Sequence, residues 1–432
     1  MTADSAGTAT TATCADDYDP DSVSLQDALT LIRSALSKVT ATSRVPLQQA
    51  HRRILAVDTH ASIDVPAFDC SAMDGFAFRR ADFDSPADFE SPAAVELPVV
   101  GKALAGHPYQ ASLPSGSCVR VTTGAPVPHD ADTVIMQENV TFTDGAEPFI
   151  AVTDLPGKGH FVRKVASNVS AGTTVLVAGT ELLPAQLGVL ASVGVSEVEV
   201  VRRLRIALLS TGDELRNPGQ SLSAGMIYDS NRFTLLGALD HPGVELIDLG
   251  IVGDDREALS AQLAATREFD VMISTGGVSV GEADHMRNVL AEHGQMHLWK
   301  IAMKPGRPLT FGKLATGCVF FGLPGNPVSG LVTCQQIVQP SLNFMQGRIE
   351  TRPLEITAVM QGTLKKLPGR LELQRGNMQQ HGSNWVVDSA GAQDSHVLKV
   401  VADANCYIVL PTESTGAVPG EEVTVLPFEQ YR

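Results

Sequence analysis

The stretch from Asp270 to Asp284 reads DVMISTGGVSVGEAD, and the surrounding sequence is best interpreted outward from it. Val271 to Ile273 form a short apolar run that predicts a buried strand. Glycines at Gly276, Gly277 and Gly281 then interrupt the pattern, and helical spacing resumes after them. A strand, a glycine-rich turn and a helix in this order place backbone N–H groups at a helix N-terminus, where a phosphate or another oxyanion binds readily.

The same turn carries acidic side chains. We expect Glu282 and Asp284 to hold a divalent cation beside the anion, because carboxylate oxygens are ligands that Mg²⁺ prefers. The turn is not a Walker A loop, since no Lys-Ser/Thr follows the glycines, and it does not match GxGxxG. Taken alone, it could also be an ordinary strand-to-helix turn with a capped N-terminus. The anion-binding candidates of the turn are Ser274, Gly276, Gly277, Ser279 and Gly281.

Length and composition indicate several globular domains. The chain has 432 residues, whereas single hydrophobic cores rarely exceed roughly 250–300 residues. Its 38 glycines and 25 prolines predict many turns. A formal net charge of −16 argues against a general nucleic-acid or membrane-surface binder, so an anionic ligand requires a local basic cluster.

The cysteines and the N-terminus bear on the cellular compartment. Six scattered cysteines without a CxxC pair predict neither a disulfide framework nor a cysteine zinc site. No apolar run reaches the roughly 18 residues of a transmembrane helix. No basic residue precedes Arg33, which argues against a signal peptide. We therefore expect a cytoplasmic protein.

The apolar pattern changes several times along the chain. Residues 1–21 are rich in Ala, Thr and Asp, which predicts a disordered acidic tail. Helical spacing after Ser24 and again from Ala178 to Val193 predicts a helical layer built from residues 22–62 and 163–201. Short β runs between these parts predict an inserted β-rich module over residues 63–162.

The C-terminal half divides in two. From residue 202 to 348, strands and helices alternate, which predicts a parallel, doubly wound α/β domain. From residue 349 to 432 the helical pattern vanishes, and short β runs predict a small barrel or sandwich. The expected fold is therefore a multidomain α/β plus β protein.

Polar residues follow five strands of the expected α/β sheet. Ligands bind beyond the carboxyl ends of such strands, so we expect the carboxylates to bind a metal and the cations to bind an anion. Singly, each acidic residue could be a helix cap, Lys300 a solvated charge, and the prolines only stiffeners of a turn. The residues concerned are Asp213, Glu214, Asp254, Lys300, Lys304, Arg307, Pro324, Gly325, Asn326 and Pro327.

Together with two segments outside this domain, these residues resemble molybdopterin molybdotransferase, the bacterial MoeA family that also includes the gephyrin E domain. From sequence alone, Asp74-Gly75 could be a simple hairpin turn. The resemblance covers about residues 22–432. Its motifs are Ser71–Ala77, Thr123–Pro126 with Met136–Glu138, Ser210–Leu215, Tyr228–Arg232, Gly276–Asp284, Lys304–Pro308 and Gly322–Pro327.

The resemblance implies a transferase reaction. Adenylylated molybdopterin would be hydrolysed in a Mg²⁺- and molybdate-dependent step, AMP would leave, and molybdate would be inserted at the dithiolene sulfurs to give molybdenum cofactor. It also implies a homodimer of four-domain subunits, with the helical layer as its dimerisation layer. The expected partners are a molybdopterin adenylyltransferase and molybdoenzyme maturation factors, with neither nucleic acid nor a membrane among them.

The resemblance also implies roles for residues. Asp74 and Thr123 would be catalytic residues offered across the dimer, and Glu214, Asp254 and Asp284 would be the catalytic acids of the α/β domain. Asp254, Glu282 and Asp284 would hold the metal. Lys300, Lys304, Pro324 and Pro327 would frame the pterin and molybdate site, with Arg163, Arg375 and Ser395 near the ligand.

The sequence departs from the family pattern at two positions. Two other functions also remain as alternatives. Asn168 stands where the family has an acidic residue, and Asp394 places a carboxylate beside an expected anion site. The α/β domain also resembles a molybdopterin adenylyltransferase, although the extra domains favour insertion. A non-catalytic scaffold on the same fold is the alternative from another class, and it would bind adenylylated molybdopterin without consuming it.

Overall fold

The computed structural model describes residues 21–83, 94–276, 285–350 and 352–431, without the side chains of 285–288. Almost all of the expected acidic tail lies outside these residues. Within the described part of the chain, no helix is long and apolar enough to cross a membrane.

The N-terminal part consists of one helix followed by short strands. Helix α1 (Leu25–Ala35) begins where the sequence predicts, because the Ser24 side chain accepts a hydrogen bond from the Asp27 N–H at 3.1 Å. The elements that follow are β1 (Thr42–Pro46), β2 (Thr59–His60), β3 (Cys70–Ser71), β4 (Gly75–Phe78), β5 (Val95–Ala103), β6 (Cys118–Val121), β7 (Thr133–Met136), β8 (Thr141–Thr143), β9 (Phe149–Val152), β10 (Val162–Arg163), β11 (Thr174–Leu176), α2 (Pro184–Ser192) and β12 (Glu197–Val201).

The inserted β module is a six-stranded sheet in the order β7-β4-β6-β5-β9-β8. Flanking it in sequence, β1 pairs with β12, β2 with β11 and β3 with β10, all antiparallel. Helix α2 packs with these flanking segments through Leu182, Leu190 and Val200. The module thus interrupts a second structural part made of both flanks, as the sequence predicts.

Helix α1 packs on the α/β domain, whereas the sequence predicts it in the helical layer. Its buried residues Ala28 and Ile32 join the cluster that includes Leu208, Ile273 and Leu342 of the α/β domain. The apolar stripe of α1 therefore covers the α/β sheet, and α2 lies in a separate cluster. The stripe shows that one face is buried but does not show which partner covers it.

The α/β domain follows in regular alternation. Its elements are β13 (Leu204–Thr211), β14 (Leu215–Arg216), β15 (Ile227–Tyr228), α3 (Asn231–Leu239), β16 (Val244–Val252), α4 (Arg256–Ala264), β17 (Val271–Thr275), α5 (His285–His293), β18 (Gly294–Lys300), β19 (Met303–Lys304), β20 (Pro308–Leu314), β21 (Val319–Leu323), α6 (Pro327–Thr333) and α7 (Gln339–Met345).

Its central sheet has the strand order β16-β13-β17-β21-β20-β18. Alternate residues of each buried strand point to opposite faces. Ile206 packs with the cluster that also holds residues of α1, α3, α6 and α7, whereas Ala207 packs with residues of α4 and α5. The doubly wound fold is therefore confirmed. One strand differs from the expectation: β20 is antiparallel to both neighbours, so the sheet is mixed.

The C-terminal part forms the expected small barrel. Strand β24 pairs with both β25 and β26, which closes a ring of five strands in the order β24-β25-β22-β28-β26. Its interior includes Met360, Val387, Ile408 and Val425. The elements are β22 (Ile356–Met360), β23 (Leu364–Lys365), β24 (Leu371–His381), β25 (Asn384–Ser389), α8 (Leu398–Asp403), β26 (Cys406–Leu410), β27 (Gly416–Ala417) and β28 (Glu422–Pro427).

Candidate active site

The candidate site lies at the carboxyl edge of the α/β sheet. Strands β16, β13, β17 and β21 are parallel and end at this edge. Because β20 is antiparallel between β21 and β18, β18 also ends there, and Lys300 is its last residue. We call the residues at this edge, 210–214, 252–254, 274–276, 300–307 and 323–327, the rim. The strand ends that the sequence singles out therefore share one edge.

Three buried hydroxyl groups lie at the ends of β13 and β17 within the rim. Ser210, Thr211 and Ser274 are 0%, 2% and 0% exposed. Their hydroxyl oxygens have no hydrogen-bond partner among the described residues. A buried polar atom without a partner costs about 1–3 kcal/mol, so the hydroxyls of Thr211 and Ser274, which lie on one face of the sheet, fit a site whose ligand supplies the missing bonds. Ser274 is among the anion-binding residues that the sequence predicts, whereas Ser210 and Thr211 belong only to the Ser210–Leu215 motif, because burial of a hydroxyl leaves no local signal.

The turn after β17 packs closely on β13. Gly276 has φ 86°, and a Cβ placed there would lie 2.4 Å from the Thr211 carbonyl oxygen. Only glycine fits this position. Gly276 also donates its N–H to the Leu323 carbonyl at 3.3 Å. The turn thus connects the ends of three adjacent strands.

Asn231, the first residue of α3, joins two loops of the rim. Its Nδ2 donates to Thr275 Oγ1 at 2.9 Å and to the Gly325 carbonyl at 2.8 Å. Sequence reasoning did not assign this side chain a role, although it lies in the Tyr228–Arg232 motif. The structure identifies Asn231 as a positioning residue of the rim.

The acidic side chains of the rim are exposed. Asp213, Glu214 and Asp254 all project from loops after β13 and β16. Asp213 Oδ1 accepts the Asp254 N–H at 3.0 Å, which holds the two loops together. The N-cap of α4 is Asp255, which accepts from the Ala258 N–H at 2.8 Å. The helix-capping role therefore falls to Asp255, and the Asp254 carboxylate does not cap α4.

The cationic side of the rim contacts the C-terminal barrel. Lys304 Nζ lies 3.7 Å from Glu372 Oε1, and Glu372 is 4% exposed. Strand β19, which contains Lys304, pairs with β24 of the barrel. Ile301 donates its N–H to the Arg307 carbonyl at 2.6 Å, closing the loop that contains Lys304. The barrel therefore helps to fix this loop.

The Pro324–Pro327 turn is supported from the barrel as well. Pro327 is the first residue of α6, and Val328 donates its N–H to the Ser395 carbonyl at 3.1 Å. Arg375 is 1% exposed, and its Nη2 donates to the carbonyls of Ala392 (3.3 Å) and Asp394 (3.2 Å). Burial lowers the pKa of the Arg375 guanidinium. Arg375 thus holds the loop that brings Ser395 to the rim.

A second group of predicted residues comes together in the β module. Asp74 Oδ1 accepts hydrogen bonds from the Thr123 N–H at 2.6 Å and the Thr123 hydroxyl at 2.8 Å. First the N–H and then the hydroxyl lower the pKa of the Asp74 carboxyl, which is therefore held ionised. Arg163, in β10, pairs with Cys70 in the strand before Asp74. Asp74 and Thr123 are exposed on the module, and Arg163 is exposed on the flanking strand β10.

The remaining predicted residues have different outcomes. Asn168 is exposed and donates its backbone N–H to the Val65 carbonyl at 2.9 Å. Among the described residues, no group of three or more His, Cys, Asp or Glu side chains could hold a metal ion. Five predicted residues lie outside the described residues, so the metal set stays a prediction. These are Gly277, Ser279, Gly281, Glu282 and Asp284.

Known proteins share this architecture along almost the whole chain. Residues 23–194 match the MoeA N-terminal region, residues 207–343 a probable molybdopterin binding domain, and residues 357–428 the MoeA C-terminal region. The molybdopterin biosynthesis MoeA protein from Pyrococcus horikoshii superimposes with a TM-score of 0.80 at 26% identity, covering 94% of this chain and 99% of that one.

Curated proteins with similar sequences are molybdopterin molybdenumtransferases. The molybdopterin molybdenumtransferase of Haemophilus influenzae is 43% identical over 392 residues, which cover 90% of this chain and 94% of the relative. That of a Nostoc species is 35% identical over 420 residues, 93% of each chain. The chain therefore belongs to the MoeA family of molybdopterin molybdenumtransferases, and it is a transferase enzyme.

Proposed function

We propose that this enzyme hydrolyses adenylylated molybdopterin and inserts molybdate into the dithiolene, releasing AMP and molybdenum cofactor. The observation that carries the proposal is the rim, where buried hydroxyls without partners lie beside exposed carboxylates and cations. Both substrates are oxyanions whose oxygens need hydrogen-bond donors, and the rim offers hydroxyl donors on the ends of two adjacent strands, β13 and β17.

The rim suits phosphoanhydride hydrolysis because this reaction needs positioning and charge stabilisation more than a protein nucleophile. Lys300, Lys304 and Arg307 bring positive charge to the same edge. Asn231 fixes the position of the Thr275 and Gly325 loops relative to each other. Arg375 and Ser395 support the Pro324–Pro327 turn from the barrel side. These residues bind and orient the anionic parts of the substrates.

The donor set fits Mg²⁺, since the exposed carboxylates of Glu214 and Asp254 and the nearby hydroxyls are oxygen ligands. In our proposal Asp254, Glu282 and Asp284 hold the ion. When bound, Mg²⁺ neutralises charge on phosphate oxygens. Asp213 Oδ1 accepts the Asp254 backbone N–H, so the protein fixes the loop that carries the Asp254 carboxylate independently of the metal.

We further propose that the enzyme works as a homodimer in which Asp74 and Thr123 face the rim of the partner subunit. Their exposure and their shared hydrogen bonds support this arrangement, because they form a pre-organised anionic group directed out of the module. A molybdopterin adenylyltransferase would supply the substrate, and molybdoenzyme maturation factors would receive the product, in the cytoplasm.

The proposed reaction predicts molybdate-dependent AMP release. Purified protein given adenylylated molybdopterin and Mg²⁺ should release AMP in proportion to added molybdate and form cofactor that activates an apo-molybdoenzyme. Sulfate, which is also a tetrahedral dianion, is the matched control and should not yield active cofactor. Tight substrate binding without AMP would overturn the proposal and favour a non-catalytic scaffold.

Asn231→Ala should lower kcat in this assay by about 10–100-fold, because a misplaced catalytic loop can cost about 100-fold. The substitution removes both hydrogen bonds that join the rim loops. Thr275→Val removes only one of them and should have a smaller effect. Asn384→Ala, which changes an exposed asparagine of the barrel, should leave kcat unchanged. Wild-type kcat in Asn231→Ala would show that the connection is dispensable.

A further inference from the structure

A basic cleft lies at the amino edge of the α/β sheet, on the side opposite the rim. It is a cavity of about 500 Å³ lined by five arginines. Strand β13 rises about 3.3 Å per residue, so Arg205 near its start lies roughly 20 Å from Thr211 at the rim. The cleft is therefore separate from the candidate active site. Its arginines are Arg53, Arg202, Arg203, Arg205 and Arg267.

Two of these arginines are already neutralised. Asp270 accepts two hydrogen bonds from Arg202, each 2.7 Å long. Arg205 lies 3.4 Å from Glu268 and 3.5 Å from Glu245. These three carboxylates are the acidic side chains among the described residues that line the cleft. All of them contact Arg202 or Arg205.

Arg53 is buried at the cleft with part of its guanidinium unsatisfied. It is 4% exposed, and its Nη2 donates to the Val201 carbonyl at 2.8 Å. Its Nε has no hydrogen-bond partner among the described residues. Burial and the positive charge of Arg203 both lower the pKa of Arg53. A buried cation beside a like charge is costly, and a bound anion would offset that cost.

The cleft carries excess positive charge on an acidic protein. Five arginines stand against three carboxylates in its lining, a formal charge of +2, whereas the chain as a whole carries −16. Arg203 and Arg267 are exposed to the cavity opening, while Arg53 lies deeper. The three arginines without a carboxylate partner in this lining thus surround one space.

We propose that this cleft binds a phosphate-bearing anion through Arg53, Arg203 and Arg267. Guanidinium groups bind phosphate oxygens with two parallel hydrogen bonds, and a phosphate dianion matches the excess charge. The volume lies within the roughly 300–1,000 Å³ range of small-molecule pockets, so it accommodates a phosphate monoester. Inorganic phosphate presents the same oxygens and is the second possible source.

Isothermal titration calorimetry in a phosphate- and sulfate-free buffer tests the proposal, with inorganic phosphate and ribose 5-phosphate as probes. The wild-type protein should bind at least one of them. The double variant Arg203→Ala/Arg267→Ala should bind the same probe at least tenfold more weakly, because this variant lacks two of the three arginines that bind the phosphate group. Tighter binding of ribose 5-phosphate would assign the site to a phosphate monoester, and equal or weaker binding would assign it to free phosphate.

Arg44→Ala is the matched control. Arg44 lies on β1 between Ser43 and Val45, which line the cleft, but its side chain is 77% exposed and pairs with Glu197. This variant removes the same kind of charge from the neighbouring surface and should keep wild-type affinity. No binding by the wild-type protein, equal affinity in the double variant, or equal loss in Arg44→Ala would overturn the proposal. Circular dichroism of each variant checks that it is folded.

Discussion

Asp74→Asn should lower the rate of molybdate-dependent AMP release by at least about 100-fold, the lower end of what a charged catalytic group contributes. Both Thr123 hydrogen bonds go to the same oxygen, Asp74 Oδ1. Asparagine keeps an oxygen in that place, so the substitution retains the local geometry and removes only the negative charge. The expected loss of rate therefore measures the contribution of the Asp74 negative charge. Determining kcat and kcat/KM at saturating Mg²⁺ and molybdate would quantify this loss.

Asp144→Asn is the matched control, because Asp144 is an exposed aspartate of the same module that accepts the Gly145 N–H at 3.0 Å. Its turnover should stay at the wild-type level. Thr123→Val tests the direction in which Thr123 shifts the pKa of Asp74. The Thr123 donors lower the pKa of Asp74, so removing the hydroxyl should raise that pKa and move the acidic limb of the rate profile to higher pH. Near wild-type turnover in Asp74→Asn would exclude a catalytic role for this carboxylate.

Much of the α/β domain could be predicted because its strands are buried and bounded by glycines. The run Val271–Ile273 has apolar residues on both faces, as expected for a central parallel strand. Strand β20 could not be predicted in the same way. It follows the Lys304–Pro308 turn directly, contains Gly312 in its middle and runs antiparallel, so neither length nor alternation distinguishes it from the loop before it.

The candidate site also combines features that the sequence predicts with features that it does not. Strand order places Glu214, Asp254 and Lys300 at one edge, since parallel strands end together. The contact between Asp74 and Thr123 depends on the register of β4 with β6, which no local pattern in the sequence specifies. The role of Asn231 depends on which way one side chain points. Likewise, which arginines of the basic cleft lack a carboxylate partner in its lining follows only from knowing that Arg202 and Arg205 already have such partners.

Asp229→Ala should lower the free energy of unfolding by about 3 kcal/mol, because it breaks a buried ion pair and leaves Arg232 without its buried carboxylate partner. Asp229 is 1% exposed and Arg232 6%. Asp229 accepts the Arg232 N–H at 3.1 Å and its Nε at 3.0 Å. Arg232 also donates to Asp248 at 2.5 Å and to Asn217, so part of its charge stays compensated and the loss falls at the low end of the range for such pairs.

Urea unfolding followed by tryptophan fluorescence measures this effect, in a Trp385→Phe background that leaves Trp299 of β18 as the reporter for the α/β domain. Asp240→Ala is the matched control, since Asp240 is an exposed aspartate at the other end of α3. It should change the free energy of unfolding by less than about 0.5 kcal/mol. An unchanged unfolding midpoint in Asp229→Ala would show that the pair contributes no net stability.

The double variant Asp229→Leu/Arg232→Met tests whether the ion pair serves only the stability of the fold or also the position of Asn231. Replacing both members of a buried pair with apolar residues of similar size is often neutral or stabilising, so the midpoint should recover much of the loss. Asn231 lies between the two positions and carries the bonds to Thr275 and Gly325. If the ion pair fixes the start of α3, AMP release should be below the wild-type rate in Asp229→Ala and also in the double variant, although the stability of the double variant recovers. Recovery of both would mean that Asp229 and Arg232 serve stability alone.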